Sequence, residues 1–279
     1  MRFLKVLTIP VLILVLSPAF GQLANDMQDD ETKFYAQTKQ VNQFFRRFNG
    51  EEDEKGDRYY PGDKQYRSSK LRKKYIGMLF DGGNASFSND LKVQFAKDIL
   101  DKDKGLFLDF HAAGLTAEVQ TIINVAGKDQ PFTLYMELEP DHLGYKWVIS
   151  HVYSDVFSSY FKRDTTKVGQ FLHPMSHELA FMNLRKAFVN PDSVAQFASK
   201  KYTPDYLTLF LYEMKKGTWK FKYVSDVKFH FFQIPGWYFE LAEFNRPGYN
   251  TGWLISNLVK INTDKDKEAL RKFIYHENP

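Results

Sequence analysis

The hydrophobic positions of the chain change period partway along and then run through the same order again. Phe34, Val41, Phe45 and Phe48 keep one helical face and Asn49-Gly50 supplies a stop, so the spacing predicts a helix over Thr32 to Phe48. Ser69 caps a second predicted helix through Leu71, Tyr75 and Leu79, ended by Asp81-Gly82-Gly83, and Ser88 caps a third through Leu91, Phe95 and Ile99. The charged stretch Glu51 to Tyr66, with Pro61-Gly62 inside it, reads as an excursion loop. From Gly105 the period falls to two. Leu106 to His111, Leu115 to Val125, Phe132 to Leu138 and Tyr145 to Tyr153 alternate or are β-branched between turn residues, which predicts four strands.

The second half repeats this order more compactly. Ser176 starts a predicted helix through Leu179, Met182 and Phe188, helices follow over Ser193 to Tyr202 and Pro204 to Met214, and Gly217 closes the set. Trp219 to Val224, Val227 to Gln233, Trp237 to Phe244 and Trp253 to Ile261 are the corresponding strands. Both halves end on one motif: Gly144-Tyr-Lys-Trp147-Val-Ile149-Ser150 returns, loosened, as Gly248-Tyr-Asn-Thr-Gly-Trp253-Leu-Ile255-Ser256. Asp90-Leu91 to Phe95 likewise matches Asp205-Tyr206 to Phe210. The offset drifts from 140 (Phe48 to Phe188) through 115 (Phe95 to Phe210) to 106 (Trp147 to Trp253), mainly because only the first copy carries the Glu51 to Tyr66 loop.

Helices followed by strands, twice, predict an α+β protein of two tandem units, each with three helices packed on a curved four-stranded antiparallel sheet. The expected division is 1–21 as a signal peptide, 32–155 as the first domain, 156–172 as a junction holding Phe157, Tyr160 and Phe161, and 173–279 as the second domain. In the last of these, Thr263-Asp-Lys-Asp266 opens a capped helix whose stripe Ala269, Leu270, Phe273 and Ile274 is expected to dock onto the second unit. A helical unit closed by a strand of the form Gly-aromatic-Lys-Trp-hydrophobic-Ile, carried here by Trp147-Val-Ile149 and Trp253-Leu-Ile255, resembles the nuclear transport factor 2-like (cystatin-like) superfamily of α+β cones. The resemblance implies a cone enclosing a pocket, in a family divided between isomerase- or dehydratase-like enzymes and non-catalytic binding domains. It assigns no catalytic residue.

Composition changes the picture mainly at the start of the chain. Met1-Arg2-Phe3-Leu4-Lys5, the apolar run Val6 to Leu16 and Pro18-Ala19-Phe20-Gly21 read as a secretory signal cleaved near Gly21, which predicts a periplasmic or secreted protein. The run is too short to span a bilayer and no later segment is long and apolar enough, so no stable membrane insertion is expected. The chain has no cysteine, which excludes disulfides and thiolate chemistry and leaves stability to a core rich in its 26 Phe, 16 Tyr and 4 Trp. A formal net charge of +4 includes Arg2 and Lys5; without them no basic stripe suited to nucleic acid remains.

Candidate chemistry is sparse. His173 and His177, four apart, fit two imidazoles on one helical face for a metal, but Pro174 and the cap at Ser176 favour a helix start, and no metal site is expected. Asp109 and His111 share a strand face, as do His151 and Tyr153; each pair fits a ligand-binding or acid–base role, and equally a solvated polar face. Phe231-Phe232 and Trp237-Tyr238 are consecutive aromatics that cannot all enter one core, so Phe232, Trp237 and Tyr238 are candidate contacts for a ligand or partner. No nucleophile elbow, phosphate loop or dinucleotide fingerprint is present, and no cofactor is expected. The sequence therefore points to a non-catalytic binding protein using a cone pocket or the domain junction, with an envelope protein, peptide or glycan as partner. An enzyme with Asp109 and His111 as its acid and base is the alternative.

Overall fold

A computed structural model describes residues 40–160 other than 84–86, 102 and 143, then 188, 189, 194, 195, 197–199 and 201–277 other than 249. The proposed signal segment, the start of the first predicted helix, His173, His177 and most of the junction lie outside the described residues. Three helices come first: α1 (Val41–Asn49), α2 (Ser69–Met78) and α3 (Asn89–Ile99). Strands β1 (Leu115–Val125), β2 (Lys128–Asp141) and β3 (Gly144–Tyr153) follow, then α4 (Asp155–Tyr160) and α5 (Tyr206–Lys216). β4 (Trp219–Phe231), β5 (Trp237–Phe244), β6 (Gly252–Lys260) and α6 (Asp264–Ile274) complete the order. Local chemistry accounts for the ends. Ser68 and Ser88 accept from Leu71 N and Leu91 N, Asp205 caps α5, and Gly50 and Gly217 take the left-handed conformation that lets α1 and α5 stop.

The six strands form one antiparallel sheet, ordered β3-β2-β1-β4-β5-β6. The expectation of two tandem units on separate four-stranded sheets is therefore wrong, for two physical reasons. First, β1 pairs with β4 along its whole length, Leu115 opposite Phe231 through Val125 opposite Trp219, so the halves share backbone hydrogen bonds. Second, each half covers the other. α1 and α3 pack on β6, and Phe44, Phe48 and Phe95 meet Phe239 at 6.3, 6.1 and 5.7 Å, although β1–β3 follow them in sequence. α5 packs on β3, and Phe210 meets Phe132 of β2 at 6.1 Å.

Three predicted strands are also corrected. Leu106 to His111, with Phe110 and His111 in a turn, joins no ladder, because side chains take its backbone groups. The Asn49 amide bonds both Leu108 N and Leu108 O at 2.9 Å, Arg72 reaches Leu106 O, and Gln233 bonds Asp109 N and O. Trp219 to Gln233 is one strand to Phe231 rather than two, bent by extra residues at Lys222 and Ser225.

The repeated motif keeps its meaning inside this sheet. Its two copies are the edge strands β3 and β6, and both are bulged at the final serine: Ser150 between Ile149 and His151, Ser256 between Ile255 and Asn257. Each serine hydroxyl donates across to its neighbouring strand, Ser150 to Tyr135 O at 3.2 Å and Ser256 to Glu240 O at 3.3 Å. Tyr135 thus corresponds to Glu240, Leu134 to Phe239 and Phe132 to Trp237. The packing Phe95 on Trp237, 5.2 Å, is then the counterpart of Phe210 on Phe132. An approximate two-fold axis follows through the paired residues Ala117 and Phe229, exchanging the pair Glu118–Lys228 with His230–Thr116.

One sheet face carries the apolar core, with Phe231, Phe239, Leu241 and Ile255 under α1–α3 and Ile123, Phe132, Leu134 and Trp219 near α4 and α5. The other face is polar along its centre, and α6 lies against it.

Candidate functional site

Alternation along β1, β2, β4 and β5 sends Thr116, Glu118, Tyr135, Glu137, His230 and Tyr238 to the polar face. At the two-fold axis His230 bridges two of them, with Nε2 2.8 Å from Glu118 Oε2 and Nδ1 2.9 Å from the Tyr238 hydroxyl. A carboxylate only accepts, so Nε2 donates, and in the neutral ring Nδ1 receives the Tyr238 proton. Burial opposes ionisation of Glu118, but the hydrogen bond and charge of His230, helped by Gln120 and Lys228, outweigh it and hold the carboxyl below the usual range. Burial pushes the Tyr238 and Tyr135 phenols well above theirs. The chain Glu118–His230–Tyr238 resembles an acid–base relay in connectivity, yet it is closed. His230 and Tyr238 are 2% and 1% exposed, and Phe232 packs 4.9 Å from the Tyr238 ring. Its geometry suits holding β1 to β4 and β5.

The end of α6 forms a second polar layer over β2 and β3. Tyr135 donates to Ile274 O at 2.5 Å, and Tyr275 donates to Glu137 while sharing a hydrogen bond with Thr116. Tyr275 stacks on His151 at 4.6 Å and His276 on Tyr153 at 3.9 Å, and Glu277 lies 3.4 Å from His151 Nε2. His151 Nδ1 and Arg271 Nε are buried at this clasp without a hydrogen-bond partner. The predicted docking of α6 onto the second unit is only part of its contact: Lys267 and Arg271 lie over the Phe232 ring of the second half at 6.0 and 5.5 Å. The Thr263 capping box starts the helix beside β6, but its last turn binds the first half, and Phe273 is left 79% exposed.

Beyond the clasp a groove of about 740 Å³ opens. One wall is Tyr153, Ser154, Asp155 and Tyr206; the other is the α6 face with Lys265, Glu268, Lys272 and Phe273. Asp155 accepts from the Tyr153 hydroxyl, and Glu268 pairs with Lys272. Lys265 has no ion pair among the described residues. The groove thus offers aromatic surface with mixed charge, Lys265 standing among the carboxylates of Asp155, Glu268 and Glu277, in the size range of ligand sites.

The residues singled out from sequence divide three ways. His151, Tyr153, Phe232 and Tyr238 come together on the polar face, with Tyr153 reaching the groove. Trp237 is in the core, its indole donating to Asp98 at 3.0 Å. Asp109 and His111 lie apart on the Leu106 to His111 segment, their side chains 66% and 52% exposed, 3.9 Å from each other, with His111 against Tyr145. They share no enclosed pocket with a third acid or base. Sequence reasoning missed Glu118, Tyr135, His230 and Tyr275. The available signal was the polar alternation Thr116, Glu118, Gln120 against Lys228, His230, which is indistinguishable from a solvated face until α6 covers it. Among the described residues no group of histidines and carboxylates is arranged to hold a metal. Compared with known protein families, curated proteins and solved structures, the chain matches none.

Proposed function

We propose that the chain acts, after export, as a non-catalytic binding protein whose recognition site is the groove between α6 and the end of β3. The observation that carries this reading is the groove itself, with Phe273 79% exposed on its wall, Tyr153 and Tyr206 opposite, and Lys265 without an ion pair among the described residues. What supports a recognition role is the position of this ring on the wall of a concave, mixed-charge surface of ligand-site size. The groove is long and open at the end of a strand, which suits a peptide segment of an envelope or secreted partner. The basic and apolar start of the sequence supports the export half of the proposal.

A thermal-shift screen of envelope peptides and glycans tests it, because a ligand held only by the folded state raises the melting temperature. The expected outcome is a stabilising peptide whose effect disappears in Phe273→Ala, a substitution at an exposed position that leaves the unliganded melting temperature unchanged. A ligand acting equally on both proteins places binding elsewhere.

A further inference from the structure

The two edge strands are equivalent in sequence and geometry but not in coverage. On β6, Ile255 N donates to Leu79 O at 2.7 Å and its carbonyl accepts from Asp81 N at 3.0 Å, so the segment around Phe80 lies against the edge as a parallel bridge. On β3 the counterpart is Ile149, and it has no such partner among the described residues. The shared bulge at the following serine aims the Ile149 amide and carbonyl outward in the same way. The third open edge, the first half of β4, is broken twice by Lys222 and Ser225, whereas β3 is regular from Gly144 to Ile149.

We propose that the edge of β3 at Ile149 receives an extended segment of a partner protein, parallel to β3, with an aromatic residue opposite Ile149 and an acidic residue further along that reaches Lys265 in the groove. This rests on the binding reading above and deepens it by naming the partner's form. The molecule supplies the precedent, since Leu79-Phe80-Asp81 is such a segment docked on the equivalent edge. A parallel direction carries the partner's C-terminal side toward Tyr153, where the groove begins and Lys265 has no ion pair among the described residues. Main-chain pairing supplies affinity in this mode, and alternate side chains supply selectivity.

The test uses the full chain and a synthetic peptide copying residues 77–83, with amide hydrogen exchange as the readout. Slowed exchange at Ile149 is expected on peptide addition, and no effect from the peptide with glycine at the position of Phe80. Ile149→Pro, which removes the outward donor on an edge strand, is expected to weaken binding about tenfold. Should that variant misfold, Lys265→Glu, at an exposed position, is expected to weaken binding by a smaller factor, through repulsion of the peptide's carboxylate, while leaving exchange of the free protein unchanged. Protection of Ile149 in the free protein means the chain already covers this edge and overturns the proposal. Protection confined to Tyr153–Asp155 also overturns it and leaves the groove reading standing. Absence of binding by this peptide, while another ligand saturates the groove, rejects the edge alone, and absence of any ligand rejects both.

Discussion

The half-sheets β1–β3 and β4–β6 are built on one plan and finished differently. Both end on a tryptophan strand bulged at a serine, and both are covered by a helix whose phenylalanine, Phe95 or Phe210, seats on the equivalent position of the partner half. In the second half the core and the outer edge close. Phe231, Phe239, Leu254 and Ile255 are fully buried, and β6 is bridged at Ile255 by Leu79–Asp81. In the first half no described residue bridges the outer edge at Ile149, Tyr153 stacks on His276 after α6 at the margin of the sheet, and the groove lies at its end. The difference teaches where to look for function: the copy bridged at its edge supplies rigidity, and its counterpart supplies surface.

The strongest test of that comparison removes one buried side chain from each half at equivalent positions. Phe239→Ala is expected to cost about 3–5 kcal/mol and Leu134→Ala about 2–5 kcal/mol. Because each half covers the other, chemical denaturation followed by circular dichroism should show one transition in both variants. A second transition, displaced in only one of them, would mean the halves fold separately.

The seam comes next. Glu118→Gln removes the charge facing His230 and is expected to cost about 1.5–3 kcal/mol at neutral pH. The sign with pH follows from the depressed carboxyl of Glu118. Its contribution is present above the ordinary glutamate range and is lost as pH falls through the lower folded value, so the variant should lose less stability on acidification than the native chain. Equal acid sensitivity in the two proteins would remove Glu118 from this role. Tyr135 and Tyr238 act at the other limit. Their folded values are raised, so their contribution is present below the ordinary tyrosine pKa of about 10 and is lost as pH rises. Tyr238→Phe, costing about 1 kcal/mol at neutral pH, should flatten that alkaline loss, measured by unfolding alongside tyrosinate absorbance.

The smallest effect tests the equivalence itself. Ser150→Ala and Ser256→Ala each delete one hydroxyl bond across a bulge and are expected to cost similar amounts, about 1 kcal/mol or less. Unequal costs measured by urea titration would show that the two bulges do different jobs.

Much of the local structure was legible, because it is set by neighbours in sequence. Ser88 and Gly217 mark helix ends through their own side chain or backbone freedom, and the span predicted for β5 coincides with Trp237–Phe244. The repeated motif was legible for the same reason. Its assembly was not: helices were assigned to the strands that follow them, whereas Phe44, Phe48 and Phe95 cross to the other half. A hydrophobic stripe states that a helix must be covered without stating by what. The strand predicted at Leu106 to His111 failed similarly, since Asn49 and Arg72 satisfy its backbone from a distance invisible to periodicity. Of the site, His151, Tyr153, Phe232 and Tyr238 were found from facing and crowding. Of the partners that give them meaning, His230 is near Tyr238 in sequence, but Glu118 lies about 120 positions from Tyr238 and Tyr275 about 120 from His151.

The bulges of β4 bear on how this protein behaves when crowded. From Lys220 to Asp226 the strand is exposed and carries Phe221, Tyr223 and Val224, the composition from which sheets of neighbouring molecules readily stack. Lys222 and Ser225 each insert one residue out of step with β1, and Ser225 is fixed there by its hydroxyl bond to Gln120 O at 3.2 Å. A kinked, lysine-bearing template cannot be copied in register by an identical strand, so the surface can remain sticky enough to keep its aromatics without seeding a fibril.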